Sequence, residues 1–462
     1  MKNDLHEGIE ATSVQRNAIR RGALGLTTLL LAAGSAFAVD GPCDIYAAAK
    51  TPCVAAHATT RALFSAYNGP LYQVRRKSDG KLKDIGVLSP GGVVNAASQD
   101  SFLTGTSGTI SILYDQTTNH NDLKKSGVAT WLPNGGVEGD AKGGPIKLDG
   151  HTAYGIFVTS GSNVAYRNNA TTGVATGNQA ESMYAIVDGK RYSAWCCFDY
   201  GNAEKSGKDD GNGTMEAIYW GTDVGWGGYG QGSGPWIAAD LENGMFKGNA
   251  GYYNYGDTHK TPWATAKSVI ANYASLFLKG PSDNTFKIKA GDSQKGTLTT
   301  MWDGSRPSPG YSPKKLDGAI IVGTGGDGSN TGTGTFYEGA MTMGNPPDAT
   351  DDLIQANIVN AGYGRTTTSI HAGTQGASDA QLHFVPGTLR AEMAFGLSAA
   401  AKTDLEIVDL RGNHVSTVHY GELAAGPHQA SWDASKTHSG VYVARLIQNG
   451  SLAWSGPVLV GK

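Results

Sequence analysis

Asp240 and Glu242 close the apolar run Gly234-Pro235-Trp236-Ile237-Ala238-Ala239 at a spacing of two residues. In an extended chain successive side chains alternate, so both carboxylates belong to one face of a strand. Two acids on one face, followed by the amide of Asn243, suit a polar cleft better than an apolar core. A second apolar run, Ala319-Ile320-Ile321-Val322, leads through Gly325-Gly326 to Asp327. Two such groups can divide one reaction, with one acid attacking as the anion and the other carrying the proton. Cleavage of a glycosidic bond needs that pair, with the carboxyls about 5 Å apart when anomeric configuration is retained. On pattern alone an acid after a strand is more often a turn or cap residue.

Aromatic residues crowd the same stretch. Trp195, Trp220, Trp226, Tyr229 and Trp236 all lie within fifty residues of Glu242. An aromatic ring beside polar groups is a recurring way to hold a hydroxyl-rich ligand, although any single tryptophan is more often core. Other chemistries find no support. The chain carries no His-Glu-x-x-His, Cys-x-x-Cys or phosphate-loop pattern and no Gly-x-Ser-x-Gly elbow, so no metal site or organic cofactor is expected. A net charge of -3 points away from nucleic acid and from anionic membranes.

The elements that must position these acids read as strands. Thr109–Tyr114, Glu181–Val187, Met215–Trp220 and Ala319–Val322 are short β-like runs separated by turn signals. With 66 glycines and only 17% charged residues, the composition suits an all-β protein rich in tight turns. We expect a two-sheet β-sandwich of the lectin-like, jelly-roll type over residues 39–364. One helical pattern interrupts it at Asp352–Ala361. Residues 365–379 read as a Thr/Ser/Gly-rich linker, and residues 380–462 as a small immunoglobulin-like β-sandwich.

Residues 1–38 have the make-up of an export signal. Arg16, Arg20 and Arg21 precede a short apolar run that ends at Ala36-Phe37-Ala38. That run is too short to span a bilayer, which needs roughly 20 residues, so a secreted protein with no membrane span is expected. In an oxidising compartment Cys43, Cys53, Cys196 and Cys197 should all pair. Economy favours Cys43 with Cys53 and Cys196 with Cys197, and crossed pairing of the adjacent cysteines with the N-terminal two is the alternative.

Several segments together carry a family resemblance. GPCDIYAAAKTPCVAAHATTRAL from Gly41, LYDQTTNHNDL from Leu113 and YRNNATTGVATG from Tyr166 are followed by CCFDYGNAE from Cys196 and MEAIYWG from Met215. GPWIAADLEN from Gly234, AIIVGTGGD from Ala319 and GTFYEGAM from Gly334 complete the series. In that order they resemble the catalytic domain of the α-L-arabinofuranosidases of glycoside hydrolase family 54. The resemblance implies a secreted, exo-acting, retaining glycosidase that frees terminal α-L-arabinofuranosyl groups from arabinose-substituted plant cell-wall polysaccharide. It implies Glu242 as nucleophile and Asp327 as general acid/base. It further implies Asp240, Asn243, Gly326 and Trp226 as sugar-binding residues, and a Cys196–Cys197 disulfide packed against the sugar, which decides the pairing left open above. The nucleophile is expected among hydrogen-bond donors such as Asn243.

Two departures stand out. Ser101–Thr109 lacks a cysteine pair usual in fungal members, and the usual C-terminal β-trefoil is replaced by the small sandwich. That sandwich resembles sorting or attachment modules of bacterial secreted enzymes, which implies delivery to secretion or cell-surface machinery. A non-catalytic lectin-like protein, or a glycosidase for another pentoside, would fit the same fold.

Overall fold

Extended, glycine-punctuated runs dominate the chain because β-branched and aromatic residues alternate along them, and the sheets they build define the architecture. The computed structural model describes residues 40–248, 265–366, 381–384, 389–397, 400–409 and 412–460. The export signal expected at 1–38 and most of the linker expected at 365–379 lie outside the described residues. No described helix is long and apolar enough to cross a membrane.

Residues 42–363 build two large antiparallel sheets. One has seven strands and is centred on Gly334–Met343 and Glu181–Asp188. The other has ten, and its first six run Met245–Phe246, Trp236–Asp240, Glu216–Gly221, Asp199–Ala203, Ala319–Val322, Tyr166–Asn168. A single hydrophobic core joins residues of both, including Tyr184, Phe277, Tyr200, Ile218, Trp220 and Ile237. The expected sandwich is therefore present.

Register explains which side chains reach that core. Tyr166, Val322, Tyr200, Ile218 and Ala239 are paired across five adjacent strands and all belong to the core. The neighbouring row, Arg167, Ile321, Gly201, Ala217 and Asp240, is paired in the same way and must occupy the opposite face. At the centre of this second row stand a glycine and an alanine. Gly201 has no room for a side chain, since a Cβ there would lie 2.8 Å from the Cβ of Ala217. Small residues in the middle and charged ones at the ends leave a shallow floor bounded by Arg167 and Asp240.

The helix expected over Asp352–Ala361 begins earlier, at Asp348. Pro347 stands at its N-cap, and the first-turn acids Asp348 and Asp351 bind Lys279 at 2.8 Å and 2.9 Å. Favourable charge at a helix N-terminus together with these ion pairs extends the helix beyond its apolar pattern. Gly362, with φ of 79°, ends it.

A buried brace supports the end of the Asp240 strand. Glu216 accepts from Arg306 at 2.6 Å, and Arg306 also donates to the Tyr311 carbonyl at 3.0 Å. The Tyr311 hydroxyl in turn donates to the carbonyl of Asn243 at 2.9 Å.

The C-terminal residues form a three-stranded and a four-stranded sheet of their own. Leu405, Ile407, Trp432 and Leu446 lie in a core separate from that of residues 42–363.

Candidate active site

The strand Trp236–Asp240 ends in a turn whose backbone is unusual. Glu242 and Asn243 have φ of 60° and 36°, left-handed values that non-glycine residues seldom adopt. Asp240 holds the turn by accepting the Glu242 backbone N–H at 3.1 Å, and Tyr311 holds it from the far side. Such local strain, of order 1–3 kcal/mol, persists only where surrounding contacts over-determine it. Its effect is to turn the Glu242 side chain inward, where the residue is only 6% exposed.

Asp327 arrives on the facing loop. Its carboxylate accepts the Ser329 N–H at 2.9 Å, and the side chain is half-buried. The two glycines before it are required by contact. A Cβ on Gly325 would lie 3.3 Å from the Cys197 sulfur, and one on Gly326 would lie 2.0 Å from a Glu204 carboxylate oxygen. Both expected disulfides are present, Cys43–Cys53 and the adjacent pair Cys196–Cys197. The Cys197 sulfur lies 3.5 Å from Asp240, and Trp226 packs half-buried against the same pair. These sulfurs and the Asp240 carboxylate lie within 4.8 Å of one another. Oxidised sulfur cannot serve as a thiolate, so the group is not suited to a metal.

Three residues that sequence reasoning missed complete the site. Asp199, 2% exposed, lies two residues beyond Cys197 at the start of the strand Asp199–Ala203, and no donor reaches either of its oxygens. Burial first and Asp240 second push its carboxyl well above the usual range. Its charge state is thus tied to that of Asp240. Glu204 follows the same strand, accepts the Thr214 hydroxyl at 2.6 Å and meets the Glu242 carboxyl directly. Arg167 sends its guanidinium to the carbonyls of Glu204, at 2.9 Å, Gly325, at 3.4 Å, and Gly326. The period-two pattern Cys197, Asp199, Gly201 was the available signal for Asp199. Nothing local marked Arg167 or Glu204.

The electrostatics follow from this crowding. Glu242 is raised well above the ordinary carboxylate range by burial first, then by Glu204, Asp240 and Asp327. Asp240 is pushed up to about 8 by burial first and by the Glu204 charge second. Glu204 is raised by burial, while its contact with Glu242 opposes that rise. Glu204 and Glu242 thus share one proton between two carboxyls. Arg167 supplies positive charge to Glu204, Asp327 and Glu242.

One expectation about surroundings needs correction, and the aromatic cluster resolves into core and surface members. The Asn243 amide is not a donor to Glu242. It is exposed and donates instead to Asp209 at 3.0 Å, because the left-handed turn directs the two side chains apart. The aromatic cluster also divides, since Trp220 and Trp236 are core residues at 1% exposure, Tyr229 packs against that core, and Trp195 is exposed.

Residues 42–364 match the family described as "Alpha-L-arabinofuranosidase B, catalytic". The chain is 49% identical over 366 residues to the α-L-arabinofuranosidase B of Emericella nidulans, covering 77% of this chain and 68% of that protein. It is 50% identical over 344 residues to an arabinofuranosidase/β-xylosidase of Trichoderma koningii, covering 72% of this chain and 65% of that protein. A crystal structure of an arabinofuranosidase complexed with arabinofuranosyl-α-1,2-xylobiose aligns with a TM-score of 0.65 and 41% identity. That alignment covers 78% of this chain and 73% of the other.

The raised Glu242 carboxyl has a consequence for stability. Unfolded, the group ionises near the ordinary glutamate value of 4.5; folded, it holds its proton to higher pH, so stability falls as pH rises above 4.5. Glu242→Gln removes that loss, and thermal unfolding should show the variant melting above the wild type at pH 7. The difference should shrink towards pH 4. A variant that melts lower at pH 7 would mean that Glu242 is not destabilised by its neighbours.

Proposed function

This chain belongs to the α-L-arabinofuranosidase B catalytic family and is a glycoside hydrolase with arabinofuranosidase activity, and from that premise we propose that it cleaves terminal α-L-arabinofuranosyl groups with retention, using Glu242 and Asp327. The observation that supports these roles is the meeting of the Asp240–Glu242 turn and the Gly325–Asp327 loop over the floor of Gly201 and Ala217, with Arg167 joined to the loop.

Glu242, as the anion, attacks the anomeric carbon. The shared proton then resides on Glu204, whose second oxygen is held by Thr214. Asp327, half-buried where a leaving group can depart, gives its proton to the glycosidic oxygen and later takes one from the water that releases the sugar. Asp240, backed by Asp199, bonds a sugar hydroxyl, and Gly326 leaves room for the sugar to approach the backbone. The Cys196–Cys197 bond and Trp226 offer a rigid, weakly polar wall with little entropy left to lose on binding. Asn243 is the weakest member of this set, since reaching the sugar requires its amide to leave Asp209.

The natural substrate on this reading is arabinose-substituted plant polysaccharide, as the bound arabinofuranosyl-xylobiose of the solved relative suggests. Arabinose release from a chromogenic α-L-arabinofuranoside should fall to background in Glu242→Gln. Proton NMR of the first-formed product should show the retained anomer. Turnover by the variant at the wild-type rate, or an inverted first product, would end the assignment. The Trichoderma koningii relative's name adds β-xylosides to the panel worth assaying.

Ionisation of Glu242 should set the acid limb of the kcat/KM profile. Glu204 is the largest charge holding that carboxyl up. Glu204→Gln removes the charge, lowers the pKa of Glu242 and moves the acid limb to lower pH. An unmoved limb would detach Glu204 from the nucleophile.

The export signal at 1–38 and the C-terminal sandwich extend the proposal to a secreted enzyme whose last module delivers it to secretion or cell-surface machinery. The separate core of that module, beyond the end of the family match at 364, supports the division. Removing 380–462 should leave arabinosidase activity while changing where the enzyme accumulates. Unchanged distribution between medium and cell surface would reduce the module to a spacer.

A further inference from the structure

Exposed apolar side chains in residues 42–363 are not scattered evenly. Four of them, Val128, Trp131, Tyr192 and Trp195, occupy two loops that are hydrogen-bonded to the site. Trp131 is 66% exposed and Trp195 64%, although most of an indole is ordinarily taken out of water. Neither ring contributes to a described core.

Both backbones are nevertheless fixed. Ala129 and Leu132 exchange two hydrogen bonds of 3.1 Å, which makes Thr130-Trp131 the tip of a tight turn. The Thr130 N–H donates to Gly207 at 2.9 Å, and the Trp131 N–H donates to the carbonyl of Asp327 at 3.1 Å. Gly328 presses on the turn so closely that a Cβ there would lie 2.6 Å from Ala129. On the other loop the Trp195 carbonyl accepts the Tyr219 hydroxyl at 3.4 Å. The next carbonyl, of Cys196, accepts the Thr331 N–H at 3.0 Å. The backbone of one tryptophan is thus hydrogen-bonded to the backbone of the proposed acid/base, and the other tryptophan is the immediate neighbour of the disulfide wall.

We propose that Trp131 and Trp195 form the platform for the part of the substrate that departs, namely the pyranose or furanose units of the polysaccharide carrying the arabinosyl branch. This rests on the reading of Asp327 as the acid that protonates the leaving oxygen. A leaving sugar must then lie beside Asp327, and Trp131 is an exposed aromatic residue whose backbone is hydrogen-bonded to that of Asp327. Sugar rings have an apolar C–H face that stacks on indole. A platform whose backbone is already fixed loses little entropy when it engages. The glycone pocket is polar and crowded with carboxylates, so it reads the arabinose. The two rings would read the polymer.

The test compares two substrates on the full-length enzyme, an arabinosyl-substituted xylotriose and methyl α-L-arabinofuranoside. Trp131→Ala with Trp195→Ala should lower kcat/KM for the oligosaccharide about tenfold, the effect of one or two lost stacking contacts. Methyl glycoside turnover should stay within about twofold, since 1.4 kcal/mol of lost aglycone stacking does not bear on it. Trp131→Phe with Trp195→Phe should recover most of the oligosaccharide rate. An equal fall on both substrates, or no fall on either, overturns the platform. A wild-type enzyme that cleaves neither substrate overturns the arabinosidase reading, and the platform with it.

Discussion

The guanidinium of Arg167 is the constraint on which the site depends. It rises from one end of the sheet row whose other end is Asp240, and it gathers the carbonyls of Glu204, Gly325 and Gly326. Those carbonyls belong to two different loops, one carrying Glu204 and the other Asp327. A planar, permanently charged fork can hold both at once, where an ammonium group would act as a single point charge. It also puts positive charge among Glu204, Asp327 and Glu242, which would otherwise repel one another in a place largely closed to water. Position and charge balance are thus secured by one side chain.

What Arg167 balances is costly. Asp199, Glu204, Asp240 and Glu242 are all raised by burial, and each also feels at least one other acid of the group. A fold built only for stability would not collect them. They fall into two interacting pairs, Asp199 with Asp240 and Glu204 with Glu242. On the proposed mechanism such pairing lets one carboxyl of a pair ionise without leaving every carboxyl charged. Strain adds to the cost, since Glu242 and Asn243 hold left-handed backbone and the Glu216–Arg306–Tyr311 brace keeps them there.

Legibility varied with how local the signal was. Strands with alternating apolar residues were readable, and Glu181–Val187 corresponds closely to the observed Glu181–Asp188. The helix was read too short because its start depends on Pro347 and on lysines some seventy residues upstream. Asp240, Glu242 and Asp327 were marked by strand ends and a Gly-Gly step, and the family segments supplied their roles. Asn243 was misread as a donor to Glu242, because residues adjacent in sequence need not share a direction once the backbone turns left-handed. Trp220 and Trp236 were indistinguishable from Trp195 by type and spacing, yet two fill the core and one faces solvent.

By itself the sequence determined the alternation of faces, the family, the pairing of carboxylates with sugar chemistry and the economy of its four cysteines. Each of these rests on residue type and short spacing, which survive without knowledge of the fold. Only the tertiary structure decided that Arg167, Asp199 and Glu204 belong to the site, that Glu242 lies among acids rather than donors, and that Trp131 stands beside Asp327. Those facts depend on which strands are neighbours. Arg167 and Ile321 are separated by more than a hundred and fifty residues and meet through one pairing register, and no local pattern encodes such a meeting because its energy is gained only when the sheet closes.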